Sequence, residues 1–510
     1  MNSETPTPTI CLHPSDNVVV ARIDLAAGTV ISGDGLTTCD HVPAGHKVAT
    51  VAIPYGQPVK KYSQLIGFAT CDISPGELVH SHNMALKQYP RELSIGAGTN
   101  PTEYIPEKSR ATFNGIVRPD GRIGTRNYIG ILPTSNCAAS VARLIADQFR
   151  DSGVEQFHNV DGVVALCHTT GCGTGGTGRG FEIAQRTIEG YAKHPNFGGV
   201  LLVGLGCEEL EMDVLMRNLR SSPQSMRHSM IAQELGGTRR TVNEGVARIR
   251  AMLGEVNDIV RGPVPASQLI LGLECGGSDA YSGITANPAL GAATDLLVRN
   301  GGTAILSETP EIYGAEHLLI RRAVSQSVGE SLAELIRWWE SYTTLNGCQM
   351  DNNPSPGNKA GGLTTIFEKS LGAVAKGGTT NLEAVYGYAE PVTSSGLVFM
   401  DTPGYDPPSV TGMVAGGANM ICFTTGRGSL FGCKPVPVIK LASRTELYQS
   451  MSEDMDINCG TIVDGNTRIE VLGEHIFERI LAVASGEKTK SEVNGFGDNE
   501  FMPWHIGVMI

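Results

Sequence analysis

Four apolar runs in this chain end at a glycine-rich turn that carries a cysteine: YIGILPTSNC to Cys137, VVALCHTTGC to Cys172, GVLLVGLGC to Cys207 and LILGLEC to Cys275. Short β-branched runs bounded by glycine read as buried strands of a parallel sheet. Positions 137, 172, 207 and 275 are 35, 35 and 68 apart, and one βαβ unit takes roughly 30 residues or more. Each cysteine is therefore expected to cap a successive strand. Ligands of open α/β sheets bind outside the carboxyl ends of the strands, so thiols held there would converge on one centre, with iron the first candidate. A helix start lowers a thiol's pKa toward the thiolate that metals need. That suits Cys137 ahead of AASVARLIADQFR and Cys207 ahead of EELEMDVLMRNL. In the first of these helices Val141, Leu144, Ile145 and Phe149 share one face, and Ser135 or Asn136 is placed to cap it.

With 510 residues and 41% hydrophobic content, the chain can fill about two to four domains. Its formal charge of -13 comes from interspersed acids and bases without a basic stripe, which argues against nucleic acid or an anionic membrane surface as partner. The opening MNSETPTPTI lacks the basic and apolar regions of a secretory signal, and 18 apolar residues nowhere run together. The expectation is a cytoplasmic protein. In that setting the 12 cysteines are reduced thiols for metal or catalysis rather than disulfides.

Residues 1–86 read as a small all-β module, with runs such as NVVVARI, KVATVAI and ELVHSHN between glycine and proline turns. Residues 87–112, aperiodic and carrying Pro90, Pro101 and Pro106, read as a linker. An α/β domain bearing the strand-end cysteines follows over 113–350, and a second α/β domain over 351–510. The boundary is set at the long aperiodic GCQMDNNPSPGNKAGG, since such loops inside compact chains are usually functional. Further strands are expected in GTAILSE up to Glu308, GLVFMD up to Asp401, and ANMICFTTGRG.

Two polar clusters mark the small module: His13, Asp16 and Asn17 with His46 and Lys47, and His80 with His82. Histidines at i and i+2 of a strand face one side, so His80 and His82 are candidates to share a metal or to pair as acid and base. In the main body the candidates are His168 and Cys172 of CHTTGCG, Glu208 beside Cys207, and Glu274, Cys275, Ser278, Asp279 and Asn287 of ECGGSDAYSGITANP. Glu308 and Glu311 of SETPE, Asn358 and Lys359 of SPGNKAGG, Arg427 of TTGRG, and Asp456 and Asn458 of DMDIN complete the set. A guanidinium in a glycine turn after a strand suits a carboxylate clamp. The alternative for the cysteines is burial as small apolar groups. No glycine loop ends in Gly-Lys-Ser or Gly-Lys-Thr, which excludes a P-loop.

ECGGSDAYSGITANPALG, NNPSPGNKAGG, TTGRG, GLGCE and RIGTRN closely resemble the altronate and galactarate dehydratases. HPSDNVVV, AGHK, KKY and VHSHN resemble the SAF module at the amino terminus of those enzymes. The resemblance implies dehydration of a hexonic or hexaric acid to a 2-keto-3-deoxy acid in a homo-oligomer, most simply a dimer. It implies iron, as Fe(II) or in an iron–sulfur cluster, with Mn(II) as a substitute, on Cys137, Cys172, Cys207, Cys275, His80 and His82. His46, Lys47, His82 and His168 would be catalytic. Arg126, Asn127, Ser278, Asp279, Asn287, Asn358, Lys359 and Arg427 would bind substrate. VHSHN is closer to the altronate type and DMDIN to the galactarate type. The related sulfolactate sulfo-lyases offer a second reading, and a carbohydrate-binding protein without catalysis a third.

Overall fold

The computed structural model describes residues 7–31, 35–87, 93–150, 153–171, 173, 175–220 and 226–506, so Cys172 lies outside the described residues. The small module is all-β, as expected, and its strands pair antiparallel in two small sheets. Apolar residues from both, such as Val18, Val59, Ile66 and Val79, are buried together with residues of the main body. The described part of the segment expected to be a linker is laid on that body. Gly96 and Gly98 donate to the carbonyls of Ile320 and Arg321 at 3.1 and 2.6 Å, and Ile105 to Arg299 at 2.7 Å.

The main body holds two parallel sheets with helices between them. The first has the strand order Gly162–Ala165, Tyr128–Pro133, Phe197–Gly204, Arg227–Ile231. The second has seven strands, in the order Leu382–Tyr386, Gly396–Met400, Thr303–Leu306, Ile270–Cys275, Met420–Thr425, Val438–Ala442, Ile457–Asn458. Every ladder within both is parallel. Strands covered on both faces are continuous apolar runs, which is why Phe197–Gly204 and Met420–Thr425 are buried at every position. Helix Ala286–Arg299 buries Ala286, Ala289, Leu290, Ala293 and Leu297, one face of a 3.6-residue period, in the core that also holds Ile476, Ile480 and Val483 of helix Ile469–Ala484.

Two expectations change here. The seven-stranded sheet takes strands from both sides of residue 350, so that boundary falls within one sheet. The chain divides instead near the antiparallel strand Gly262–Pro265, which pairs with Thr112–Val117. Cys207 and Cys275 do not follow successive strands of one sheet, and 68 residues separate them. The interval contains the first sheet's last strand, the long helix Thr238–Asn257 and the crossing to the second sheet. In helix Asn136–Ala146 the buried face uses Ala138, Val141, Ala142 and Ile145, leaving Leu144 outside at 46% exposure. Among the described residues no helix is long and apolar enough to cross a membrane.

Candidate active site at the crest of the seven-stranded sheet

Strand order in the larger sheet runs outward in both directions from Ile270–Cys275, so the ligand crevice of such a sheet falls above Cys275 and its neighbour Thr424. Cys275 ends its strand, and the adjacent strand Thr303–Leu306 runs into Glu308. Glu308 has φ +65°, a left-handed conformation that costs a non-glycine residue about 1–3 kcal/mol and gathers at functional sites. The short helical turn that follows brings Glu311 back, its N–H donating to the Glu308 carbonyl at 2.7 Å. Cys275 Sγ thereby lies 3.6 Å from an oxygen of each glutamate. Glu274 and Asp406 join Glu308 in a second trio, and the ligand atoms of each trio lie within 4.8 Å of one another.

Helix Ile366–Ala375 supplies the counter-charges. Lys369 and Lys376, two turns apart, face the same way. Lys369 Nζ sits 2.6 Å from Glu311 and 2.9 Å from Asn353, and Lys376 Nζ 3.4 Å from Glu308. Burial and the neighbouring Glu308 push Glu274 well up, and burial with Glu311 pushes up Glu308. Burial and the same glutamates take Asp406 to about 7. Burial raises the Cys275 thiol. Glu311 goes the other way: against the upward push of its burial, Lys369, Lys376 and Asn353 together lower it.

Four carboxyls thus face two ammonium groups, and full ionisation leaves two negative charges unmatched. Oε1 of Glu274 and Oε1 of Glu308 are buried without a hydrogen-bond partner among the described residues. Such bare oxygens are costly unless something neutralises them. One thiol, several carboxylates and two unpaired oxygens fit a divalent transition ion such as Fe(II) or Mn(II) better than Mg(II), which favours oxygen alone.

The small module closes this crest from above. Lys47 Nζ reaches both oxygens of Glu368 and the Gly362 carbonyl, and Lys61 Nζ reaches Glu368 Oε1 at 3.0 Å. Despite its burial, Lys47 and Lys61 hold the Glu368 carboxyl far below the usual range. His46 and His80 stack with ring centroids 5.2 Å apart, and His80 Nε2 lies 3.0 Å from the Lys359 carbonyl. Burial and the nearby Lys47 lower His80 to about 4, so it is neutral at working pH and donates there. Tyr62 and Ser63 form a two-residue hairpin turn, both with positive φ, where Asn-Gly is the usual choice. The turn is held by Asp16, whose carboxylate accepts from Tyr62 N at 3.0 Å and Ser63 N at 2.7 Å. Tyr62, Cys275, Ser278, Asn287, Glu368 and Lys369 line an enclosed cavity of about 10 Å3, room for about one water. Gly283 is bare at that wall because a Cβ would stand 2.8 Å from the Tyr62 hydroxyl.

Models of the altronate/galactarate dehydratase SAF domain, the D-galactarate dehydratase/altronate hydrolase second domain and the D-galactarate/altronate dehydratase C-terminal domain match residues 7–87, 115–257 and 266–509. The galactarate dehydratase (L-threo-forming) of Escherichia coli is 38% identical, covering 96% of this chain and 95% of its own. The altronate dehydratases of Escherichia coli and Bacillus subtilis are 35% and 34% identical, each with 96% of this chain and 97% of the relative covered. The chain belongs to the galactarate and altronate dehydratase family. It is accordingly a hydro-lyase.

Three of the five main-body motifs quoted for this family, those of Ser278, Asn358 and Arg427, meet at the crest. Asn358 Nδ2 donates to the Ser278 carbonyl at 2.8 Å, and the Gly277 carbonyl accepts from Arg427 N at 2.7 Å. Arg427 is exposed and Lys359 half-buried. Asp279 is held by Ser282, Ser443 and Arg444, and Asn287 by Thr424 and Gly372.

Other expected site residues lie elsewhere. Arg126 and Asn127 immediately precede strand Tyr128–Pro133, at the amino end of its sheet, opposite the carboxyl end where open α/β sheets bind their ligands. Arg126 is buried in a two-pronged pair with Glu492, and Asn127 bonds Arg118, Asn159 and Val256. His168 is buried with both ring nitrogens engaged, by the Pro133 carbonyl and the Thr170 hydroxyl, and its burial lowers it to about 4. Cys137 and Cys207 are exposed at the crest of the four-stranded sheet, whereas Cys275 is buried on the seven-stranded one with Glu308 and Glu311. Among the described residues the four-stranded crest offers no group of three ligands. His80 and His82 are not on a strand. The strand stops at Val79 and a turn closed by Asn83 N on the His80 carbonyl sends His82 to the surface, so the period-2 pairing fails.

Lys61, Tyr62, Glu368, Lys369, Lys376 and Asp406 were not singled out from the sequence. Two of them carried a signal: Glu368 and Lys369 interrupt an otherwise apolar helix that is buried from Ile366 to Val374. Charges with no polar face to sit on must find partners.

Proposed function

We propose that this dehydratase removes water from a six-carbon sugar acid, an altronate-type hexonate or galactarate, to give a 2-keto-3-deoxy acid at the Cys275 crest. Cys275, Glu308 and Glu311 would hold Fe(II), with Mn(II) as a substitute. The observation that carries this reading is the buried thiol–carboxylate cluster with two bare oxygens, at the strand switch point of a chain in this family. When bound, the metal would supply Lewis-acid chemistry beside the substrate carboxylate, where negative charge develops as the C2 proton leaves.

The chain's own groups account for the proton transfers. Asp406, half-buried at the rim and within 4.8 Å of a Glu308 oxygen, suits removal of the C2 proton. Tyr62 points its hydroxyl into the cavity beside Cys275 and is placed to give its proton to the departing C3 hydroxyl. Substrate thus loses a proton and a hydroxide as one water, and the enol left behind moves its hydroxyl proton to C3 to become the ketone. Lys359 and Arg427 would clamp the C1 carboxylate, and the His46–His80 stack holds the Lys359 loop in place.

The test is a panel of altronate, galactarate, related C4 to C6 sugar acids and sulfolactate, assayed with Fe(II) under reducing conditions for 2-keto acid or sulfite. A 2-keto-3-deoxy acid from a hexonate or hexarate is the expected product. Sulfite from sulfolactate alone would make the chain a sulfo-lyase, and no product from metal-loaded protein would reject catalysis.

A further inference from the structure

Glu308 keeps its left-handed backbone because the end of the neighbouring strand grips it. Strand Gly396–Met400 runs into Asp401 and Thr402. Thr402 Oγ1 accepts from Glu308 N at 2.8 Å, the Thr402 carbonyl accepts from Thr309 N at 3.0 Å, and Asp401 Oδ1 accepts from Thr309 Oγ1 at 2.7 Å. Strained backbone of this kind persists only where its surroundings over-determine it. Here two residues supply three such bonds.

The same Thr402 hydroxyl also reaches Glu274. It donates to Ser409 Oγ at 3.0 Å, and Ser409 Oγ donates to Glu274 Oε2 at 2.8 Å. Ser307 joins the layer, its Oγ 3.0 Å from that of Ser409. Thr402 and Ser409 are fully buried and Ser307 is 1% exposed, so these hydroxyls lie beneath the crest. Fixing one oxygen of a planar carboxylate fixes the direction of the other. Glu274 and Glu308, each with an unpartnered Oε1 among the described residues, are thereby oriented from one side chain, the first through its carboxylate and the second through its main chain.

Asp401 is itself tied down. Its Oδ1 also accepts from Trp339 Nε1 at 2.8 Å, and its Oδ2 pairs with Arg179 Nη2 at 3.1 Å. Arg179 opens helix Arg179–Lys193, which links two strands of the four-stranded sheet, and its guanidinium stacks over Trp338 at 4.1 Å. Asp401 belongs to neither trio of ligand atoms, and its side chain is fully buried. Such a carboxylate can act on the cluster only through the groups it holds.

Resting on the metal site of the reading above, we propose that Asp401 and Thr402 are positioning residues for it. Thr402 sets the direction of the Glu274 and Glu308 carboxyls, Asp401 fixes the turn that leads from Glu308 to Glu311, and Arg179 carries the tie across to the other sheet. Hydrogen-bond partners of this kind orient metal-ligating carboxylates, and losing one typically costs about 10–100-fold in metal affinity.

The test titrates metal-free, full-length protein with Mn(II), reading bound ion from the loss of the free-ion paramagnetic resonance signal. Thr402→Val, which removes the hydroxyl and keeps the volume, is expected to weaken Mn(II) binding at least about tenfold. At saturating Mn(II) its kcat should fall while KM stays as it was. Thr402→Ser, which keeps the hydroxyl, should restore most of the affinity, and Asp401→Asn, which loses only the charge facing Arg179, should fall between the two. Asp401→Asn also carries the test if Thr402→Val does not fold. Wild-type affinity in both Thr402→Val and Asp401→Asn, or a loss in Thr402→Ser as large as in Thr402→Val, would overturn the assignment. The titration needs no turnover, so the expected pattern supports the positioning role even if no sugar acid in the panel is converted. Mn(II) binding that Cys275→Ser leaves unchanged would overturn this proposal together with the metal site.

Discussion

Lys47 Nζ donates to both oxygens of Glu368, at 3.0 and 2.9 Å, across the seam between the small module and the main body. Lys61 adds a second ammonium to the same carboxylate, and all three side chains are at most 1% exposed. Removing one partner of a buried ion pair leaves an uncompensated charge, a loss of about 3–5 kcal/mol. Glu368→Ala should therefore lower thermal stability by an amount of that order and open the module to limited proteolysis. Unchanged protease resistance of residues 7–87 would show that the seam does not depend on this charge.

Cys275→Ser tests the metal assignment. The substitution is nearly isosteric at a site that is 1% exposed, so the fold should persist while iron retained after anaerobic gel filtration falls at least about tenfold, since thiolate is the softer ligand. Full iron content in the variant would move the metal elsewhere. Cys137→Ser and Cys207→Ser, on the other sheet, should leave the iron content as it was.

Tyr62→Phe keeps the ring and the hairpin and removes only the hydroxyl. Loss of a positioned proton donor costs about 10²-fold or more in turnover, so kcat should fall by that order with little change in KM. The acid limb of the pH profile should survive, because Asp406 remains. A variant with normal kcat would leave Tyr62 as a wall residue.

Stability should decline on acidification well before the carboxylates titrate. Burial lowers His194 to about 3 and His168 to about 4, against an ordinary 6.5. Between these values the unfolded chain binds protons that the folded one refuses. Their contribution is thus complete above pH 6.5 and drains away as pH falls toward 3. For His194 it amounts to about 5 kcal/mol at most. His194→Gln should flatten the fall in melting temperature between pH 6.5 and 4. A melting temperature independent of pH across that range would refute the assignment.

The strand ends were legible because parallel strands buried on both faces leave a plain signal in the chain. GTAILSE, GLVFMD and ANMICFTTGRG all contain the strands expected of them. The family motifs around Ser278, Asn358 and Arg427 likewise meet as loops on one crest. Which strands share a sheet was not legible, since the spacing of Cys207 and Cys275 carries no record of a crossing between sheets. The HPSDN cluster shows a second limit. Asp16 and Asn17 looked like site residues, yet they brace the hairpin that presents Tyr62. Arg126 and Arg427 are both arginines beside glycine and strand signals. Only the direction of the neighbouring strand, one beginning and the other ending, separates a buried fastening from an exposed crest residue.

The seam between module and body also orders events in time. Glu368 follows Lys47 by 321 residues, so at roughly 5–20 residues per second of synthesis the lysines wait on the order of 15–60 s for their carboxylate. Through that interval the module has emerged whole, with two ammonium groups in water and Tyr62 facing nothing. The cavity beside Cys275 is consequently among the last parts of the molecule to come into being, and a nascent chain cannot assemble it piecemeal before the body is made.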